Sequence, residues 1–256
     1  MALMRFTEKL GTSLADVISG TSGTVNYGLQ GNDTFKVSGS GYQDWIMLIG
    51  GQGNDTYVVG NNSAITIGEN GNSSNDTVIA TGIGLKRDTS YVATIDYGRH
   101  LLFLDTRSGQ QVLILDWKNP ESRIETIKLS DGTYSYSDIT KMMSMYQGYI
   151  PDYSWESSGL LEGMYKTADV NEAINYYRNK SIELEKNRYG TDKNDVLTGD
   201  SQANVLIGGA GNDTLNGGAG NDTLTGGSGK DKYIIQTGSG QDIITADVSN
   251  LEDTLV

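Results

Sequence analysis

The sequence predicts an all-β fold of the solenoid type, in two blocks of stacked turn-and-strand coils separated by a short α-helical insert. Three observations carry this: a nine-residue period in the C-terminal quarter, 34 glycines against two prolines in 256 residues, and an acidic balance supplied mostly by aspartate. Glycine is roughly twice its usual share, yet the chain lacks the proline and the three-residue period of collagen. With 36% hydrophobic residues and 15 tyrosines it is too apolar for a disordered acidic chain, and it is long enough for one or two domains with cores.

The period is explicit from residue 190 to 234, where the blocks read GTDKNDVLT, GDSQANVLI, GGAGNDTLN, GGAGNDTLT and GGSGKDKYI. Their sixth position holds Asp195, Asn204, Asp213, Asp222 and Asp231, and their eighth holds Leu197, Leu206, Leu215, Leu224 and Tyr233. Gly-Gly-x-Gly permits positive φ and close backbone approach, so the first six residues form a turn; the following triplet is a short strand with one inward apolar side chain. Two blocks make one coil of 18 residues. That spacing stacks Asp195, Asp213 and Asp231 along one edge, and Asn204 and Asp222 along the other.

Stacked carboxylates without a lysine partner repel, so the arrangement calls for a neutralising cation. Calcium fits, because it accepts six or more oxygen ligands in flexible geometry, including the carbonyls that glycine turns expose; magnesium retains water and holds to a strict octahedron. Of the 32 acidic residues 22 are aspartate, whose short side chain suits turns and compact oxygen cages. The absence of cysteine and a single histidine, His100, exclude disulfides and argue against zinc sites and histidine-based nucleophilic catalysis. A net charge of −13 argues against nucleic acid and anionic membranes. No apolar run reaches spanning length, and the first ten residues, MALMRFTEKL, lack the pattern of a secretory signal peptide.

The blocks from 208 to 234 resemble the GGxGxDxUx nonapeptides of the RTX family, the hemolysin-type calcium-binding repeats. The resemblance implies a parallel β-roll with Ca²⁺ between successive turns. It implies carboxylate ligands at Asp213, Asp222 and Asp231. Main-chain oxygens of the glycine turns complete the cage, around Gly208, Gly209 and Gly211, Gly217, Gly218 and Gly220, and Gly227 and Gly229. Block 190–198 departs from the pattern with Thr191 and Asn194 but keeps Asp195 as a candidate ligand; block 199–207 has Asn204 in place of aspartate. A more degraded set lies near the N-terminus: GTSLADVIS (11–19), GLQGNDTFK (28–36), GGQGNDTYV (50–58) and GNSSNDTVI (71–79). Their sixth positions are Asp16, Asp33, Asp55 and Asp76, of which Asp33 and Asp55 sit in the blocks that best keep their glycines. These two are 22 residues apart rather than 18, so stacking them on one edge requires an irregular coil.

The chain divides into a degenerate N-terminal roll (1–80), a β region (81–139), a helical and aromatic insert (140–189), a C-terminal roll (190–250) and a tail (251–256). In 81–139, LLFL and QVLIL flank a turn, and the phrase Arg123, Ile124, Glu125, Ile127, Leu129, Asp131, Gly132 resembles a domain found beside calcium repeats in RTX proteins. That resemblance implies a cap or continuation of the solenoid. In the insert, Thr167 can N-cap a helix carrying Val170, Ile174 and Tyr177, with a shorter helix before Tyr146. The aromatic stretch from 146 to 165 reads as a spacer or a partner-binding surface, and Trp45, Trp117 and Trp155 as core or cap. The tail LEDTLV is one more strand or an export signal for type I secretion machinery.

The function expected is that of a secreted, extracellular calcium-binding protein whose folding is coupled to Ca²⁺, with a structural or adhesive role toward cell-surface glycan or protein. The alternative is an enzyme acting on extracellular polysaccharide, or the accessory module of one, although no G-x-S-x-G, H-E-x-x-H or G-x-x-x-x-G-K motif is present.

Overall fold

The computed structural model describes residues 7–12, 14–39, 46–70, 75–96, 98–145, 152–153, 167–245 and 253–256. Trp45, Trp155, the first four residues of block 71–79 and nearly all of the aromatic stretch from 146 to 165 lie outside the described residues. The chain forms two compact units, 1–181 and 182–256.

The first unit opens with strand pairs Thr7–Leu10 (β1) and Val17–Ser19 (β2), Thr24–Gln30 (β3) and Thr34–Val37 (β4), Ile46–Gln52 (β5) and Thr56–Val59 (β6), and Ser63–Ile67 (β7) and Thr77–Ala80 (β8). Ser90–Ile95 (β9), His100–Asp105 (β10) and Gln110–Ile114 (β11) follow, then Thr126–Leu129 (β12) and Gly132–Ser135 (β13). Helix Tyr136–Met145 (α1), the short strand Asp152–Tyr153 (β14) and helix Thr167–Lys186 (α2) come last. Strands β1-β3-β5-β7-β11 stack in parallel as one sheet and β2-β4-β6-β8-β12 as the other, so the β11/β12 pair is a fifth coil. On that coil the chain reverses. Strands β10 and β13 pair antiparallel with β11 and β12, and β9 extends the first sheet beyond β10. The 81–139 region thus continues the solenoid by one coil and then caps both sheets.

The two sheets close on one core. Phe35, Tyr57, Val78 and Ile127 on one side meet Leu48, Ile67, Phe103 and Ile114 on the other, and the rings of Phe35 and Tyr57 stack with centroids 5.1 Å apart. Period-2 burial in β4 and β6 places these side chains inward, each contributing roughly 2 kcal/mol by removal from water. Trp117 is buried, as expected of a core or cap residue, and its indole N–H donates to the Gly98 carbonyl at 3.2 Å. His100 begins β10 fully buried; its Nδ1 accepts the Asp116 N–H at 3.0 Å, and burial pushes its pKa down to about 4. In α2, Ile174 and Tyr177 are buried, on the apolar stripe their spacing predicts.

The second unit is more regular. Asn187–Tyr189 (β15), Val205–Ala210 (β17), Thr223–Ser228 (β19) and Ile243–Thr245 (β21) form one parallel sheet. Val196–Thr198 (β16), Thr214–Asn216 (β18), Lys232–Ile234 (β20) and Thr254–Leu255 (β22) form the other. Its core is a single file of Leu197, Leu206, Leu215, Leu224 and Tyr233. The tail therefore adds a strand, β22, paired with β20.

Coils this flat demand glycine where backbone meets backbone. Gly229 has φ +138°, and a Cβ there would overlap the Gly211 carbonyl oxygen of the preceding coil. Gly229→Ala should therefore destabilise the second unit by roughly 2 kcal/mol or more, read as a lowered midpoint of calcium-loaded thermal unfolding; an unchanged midpoint would refute the close packing of coils at this corner.

Candidate metal centre

Each coil turns a corner at its sixth-position aspartate, just before the next short strand. The carboxylate is shared between coils. In the second unit the Asp195 N–H donates to Asp213 Oδ1, and the Asp213 N–H to Asp231 Oδ1, each at 2.8 Å. On the opposite edge the Asn204 N–H donates to Asp222 Oδ1 at 2.8 Å. The two edges predicted from the 18-residue spacing are thus present as hydrogen-bonded ladders.

Both ladders extend further than the nonapeptide period does. The Asp222 N–H donates to Asp242 Oδ1 at 3.0 Å, and the Asp231 N–H to Asp253 Oδ1 at 2.9 Å. Reading in a strict nine-residue frame missed these two rungs, because residues inserted before each of them break the frame. The signal was still there: TGSGQDIIT (237–245) is a nonapeptide out of frame, and Asp253 precedes the Thr-Leu-Val that completes one. A third ladder runs through the fifth positions, with the Asn212 N–H on Asn194 Oδ1 at 2.8 Å and the Lys230 N–H on Asn212 Oδ1 at 2.9 Å.

The first unit carries an aspartate ladder and, at the fifth positions, a rung from the Asn54 N–H to Asn32 Oδ1 at 2.8 Å. The N–H groups of Asp16, Asp33 and Asp55 donate to the Oδ1 of Asp33, Asp55 and Asp76 in turn, at 2.7–2.8 Å. The 22-residue step does not disturb it: β3 and β4 keep their parallel pairing with β5 and β6, and the added length falls in sequence between Val37 at the end of β4 and Ile46 at the start of β5. The Asp76 N–H then donates to Glu125 Oε2 at 2.8 Å, so the glutamate of the Arg123–Ile124–Glu125 phrase takes the aspartate's place where the chain enters β12.

The second carboxylate oxygen sorts the corners into two kinds. In the corners of Asp33, Asp55, Asp213, Asp222 and Asp231, Oδ2 is buried and has no hydrogen-bond partner among the described residues. It faces the first glycine of its own block: Gly28, Gly50, Gly208, Gly217 or Gly226. In each of these corners the second residue has positive φ: Leu29 (75°), Gly51 (93°), Gly209 (106°), Gly218 (89°) and Gly227 (95°). The fourth glycines Gly211, Gly220 and Gly229 share that conformation. Three further corners are closed by their own backbone: the Thr12 N–H donates to Asp16 Oδ2 at 2.6 Å, the Thr191 N–H to Asp195 Oδ2 at 2.7 Å and the Asp200 N–H to Asn204 Oδ1 at 2.7 Å. Asp195, a candidate by its position, is thus already supplied with donors, including the Thr191 hydroxyl at 2.9 Å.

An orphaned anionic oxygen in a buried corner is costly, and the corner answers with carbonyls rather than donors. Beside Asp33 Oδ2, the Gly50 carbonyl oxygen lies 2.6 Å from where a Gly28 Cβ would sit; at Gly208 the Gly226 carbonyl oxygen lies at 2.5 Å. An all-oxygen cradle that leaves no room for a Cβ suits a hard divalent cation.

Burial pushes the Asp33 and Asp55 carboxyls up to about 7, against the opposing pull of the Asp16 and Asp33 N–H groups on Oδ1. Burial, reinforced by the neighbouring carboxylates, also raises Asp213 and Asp222. Without a cation, Asp33 and Asp55 keep protons in the folded chain that the unfolded chain, at 3.8, has lost. Their contribution to stability is fully present below that value and is lost as the pH rises through about 7. The metal-free protein should therefore lose stability on going from mildly acid to mildly alkaline solution. Calcium added in weak buffer near neutrality should release protons; calcium uptake without proton release would contradict the raised pKa values.

Residues 189–224 and 198–233 match the family model of the RTX calcium-binding nonapeptide repeat (4 copies). No curated protein matches the chain. Among solved structures, the extracellular lipase LipA from Serratia marcescens is similar at 18% identity with a TM-score of 0.25, the match covering 99% of this chain and 33% of the lipase. This chain thus spans about a third of that protein's length. With the parallel coils, the glycine corners and the stacked aspartates, the match makes the stretch 189–233 a run of RTX calcium-binding nonapeptide repeats.

Proposed function

We propose that this chain is a secreted protein that condenses when it meets extracellular calcium and then serves as a structural or adhesive element toward cell-surface glycan or protein. The observation that carries this is the set of five buried Oδ2 atoms, on Asp33, Asp55, Asp213, Asp222 and Asp231, that lack a hydrogen-bond donor among the described residues. In this reading Asp213, Asp222 and Asp231 hold calcium with main-chain oxygens of the corners built by Gly208, Gly209, Gly211, Gly217, Gly218, Gly220, Gly227 and Gly229. Asp33 and Asp55 do the same in the first unit. Asp195 serves as the first rung of its ladder, its Oδ2 engaged by Thr191.

Calcium supplies the positive charge that lets these carboxylates stay ionised and buried. The chain supplies the rest: Oδ1 fixes each carboxylate to the neighbouring coil, and positive φ at the second corner residue keeps that residue's N–H from closing the corner. The second unit buries one apolar side chain per block, so its order depends on the ion more than that of the first unit, with its broad two-sheet core. At cytosolic calcium the second unit stays loose and suits export by type I machinery; at millimolar calcium, where extracellular modules bind at around 10⁻⁴ to 10⁻³ M, it folds.

Calcium titration followed by circular dichroism should show a gain of β-structure that magnesium does not reproduce. Asp213→Ala, Asp222→Ala and Asp231→Ala together should abolish most of that gain. An unchanged response in the triple variant would remove the folding claim, and release of soluble product from an extracellular polysaccharide would favour an enzyme over an adhesive element.

A further inference from the structure

Glu69 belongs to none of the nonapeptides, yet it is 1% exposed. It stands two residues beyond β7. Strands β5 and β7 pair with Leu48 opposite Ile67, so the same register carried two residues on sets Glu69 beside Gly50. Strands β3 and β5 pair with Tyr27 opposite Ile49 and Leu29 opposite Gly51, which sets Gly28 beside Gly50. A glutamate therefore takes the place that the first corner glycine holds in the two coils before it.

The substitution changes what fills the corner. At Gly28 and Gly208 the space of the missing Cβ is bounded by the block's own aspartate and by the carbonyl oxygen of the next coil's glycine. At Gly50 three side-chain oxygens converge on that space instead: Asp55 Oδ2, with Glu69 Oε1 and the Tyr57 hydroxyl each 2.5 Å from it. Carboxylate oxygens of Asp55, Glu69 and Asp76 all lie within 4.8 Å of one another, and all three residues are buried. Asp55 and Tyr57 are both 0% exposed, and neither Asp55 Oδ2 nor the Tyr57 hydroxyl has a hydrogen-bond partner among the described residues. The contrast with Tyr233, at the same position of its block, is informative: its hydroxyl accepts the Gly226 N–H at 2.9 Å. Two buried polar groups aimed at one point, one anionic and one neutral, mark a place for a cation.

We propose that Asp55, Glu69 and Asp76 hold a calcium ion in the first unit, with the Tyr57 hydroxyl in its wall, at a corner built differently from the nonapeptide turns. The proposal rests on the calcium reading above and adds to it a ligand from outside the repeats. Three carboxyl groups this close repel strongly in a buried setting. Calcium accepts such a crowded, irregular oxygen set, whereas magnesium would keep water that the corner has little room for. Glu69 is held in place from two sides. The Gly51 N–H donates to its Oε2 at 3.3 Å, and Arg178 Nη2 on α2 donates to its carbonyl oxygen at 2.9 Å. The Asn70 side chain returns a bond to the Arg178 carbonyl at 3.3 Å, so the turn that carries the glutamate is clamped to α2.

The test is calcium stoichiometry by equilibrium dialysis on the full chain. Glu69→Gln, which keeps size and the bond from Gly51, should bind one calcium fewer than the wild type. The triple variant Asp213→Asn, Asp222→Asn, Asp231→Asn should keep the ion that Glu69→Gln loses. Equal stoichiometry and affinity in Glu69→Gln and wild type would overturn the proposal; so would a triple variant that binds no calcium while the wild type binds it, which would leave the C-terminal reading standing. A wild type that binds no calcium would overturn both. Tyr57→Phe, made in the triple variant, preserves the stack on Phe35 and gives a second readout. It should remove most of the tyrosine-sensitised luminescence of bound Tb³⁺, and undiminished emission would place the ion elsewhere.

Discussion

The structure depends on the division of labour between the two oxygens of a corner aspartate. Oδ1 accepts the N–H of the aspartate one coil earlier and so sets the spacing of the coils, while Oδ2 turns inward to a corner lined by carbonyls. The first role needs only an acceptor; at position 204 the asparagine joins the ladder through its N–H, which donates to Asp222 Oδ1, while its own Oδ1 accepts the Asp200 N–H. The second needs a charge, and it has an energetic consequence, because a buried anionic oxygen without a donor destabilises the coil that holds it until a cation arrives. One side chain thus joins the stacking of the solenoid to its ion content. Positive φ at the second corner residue, a glycine in four corners and Leu29 in the fifth, accompanies each of the five open Oδ2 atoms.

The two units use this device to different extents. The second has corners on both edges and a single-file core, so almost everything that orders it lies in its ladders. The first has, among the described residues, its aspartate ladder on one edge, and gains a two-sheet core with aromatic stacking and an antiparallel cap. Its corner chemistry is correspondingly more varied: Leu29 takes a conformation usually left to glycine, Glu125 replaces the last aspartate and Glu69 replaces a glycine. If three C-terminal corners bind calcium, the formal charge of −13 rises by two for each ion to about −7, so the acidity of the chain is a property of its metal-free form.

How much could be read beforehand varies with regularity. The blocks from 190 to 234 were legible because each holds a turn and a strand of fixed length, and the stacking of Asp195 with Asp213 and Asp231 follows from that period alone. The rungs at Asp242 and Asp253 were not, because a nine-residue frame has no means of registering an insertion, whereas the ladder tolerates extra residues between its rungs. The same holds for the step from Asp33 to Asp55, where the added residues fall in sequence between β4 and β5. Asp195 shows the converse: its position marks it as a candidate ligand, while its hydrogen-bond partners depend on Thr191, whose N–H and hydroxyl both reach Oδ2.

The sequence by itself determined the class of the fold, its repeat, the edges on which the aspartates lie and the kind of ion they suit, because glycine turns and period-2 strands are local properties of the chain. Only the tertiary structure decided which corners stay open, that Glu125 closes the first ladder and that Glu69 enters a corner it does not border in sequence. Those outcomes depend on hydrogen bonds and register between coils. The donor that closes an oxygen, or the carboxylate that joins it, is set by how one coil rests on the next and not by the spacing within either.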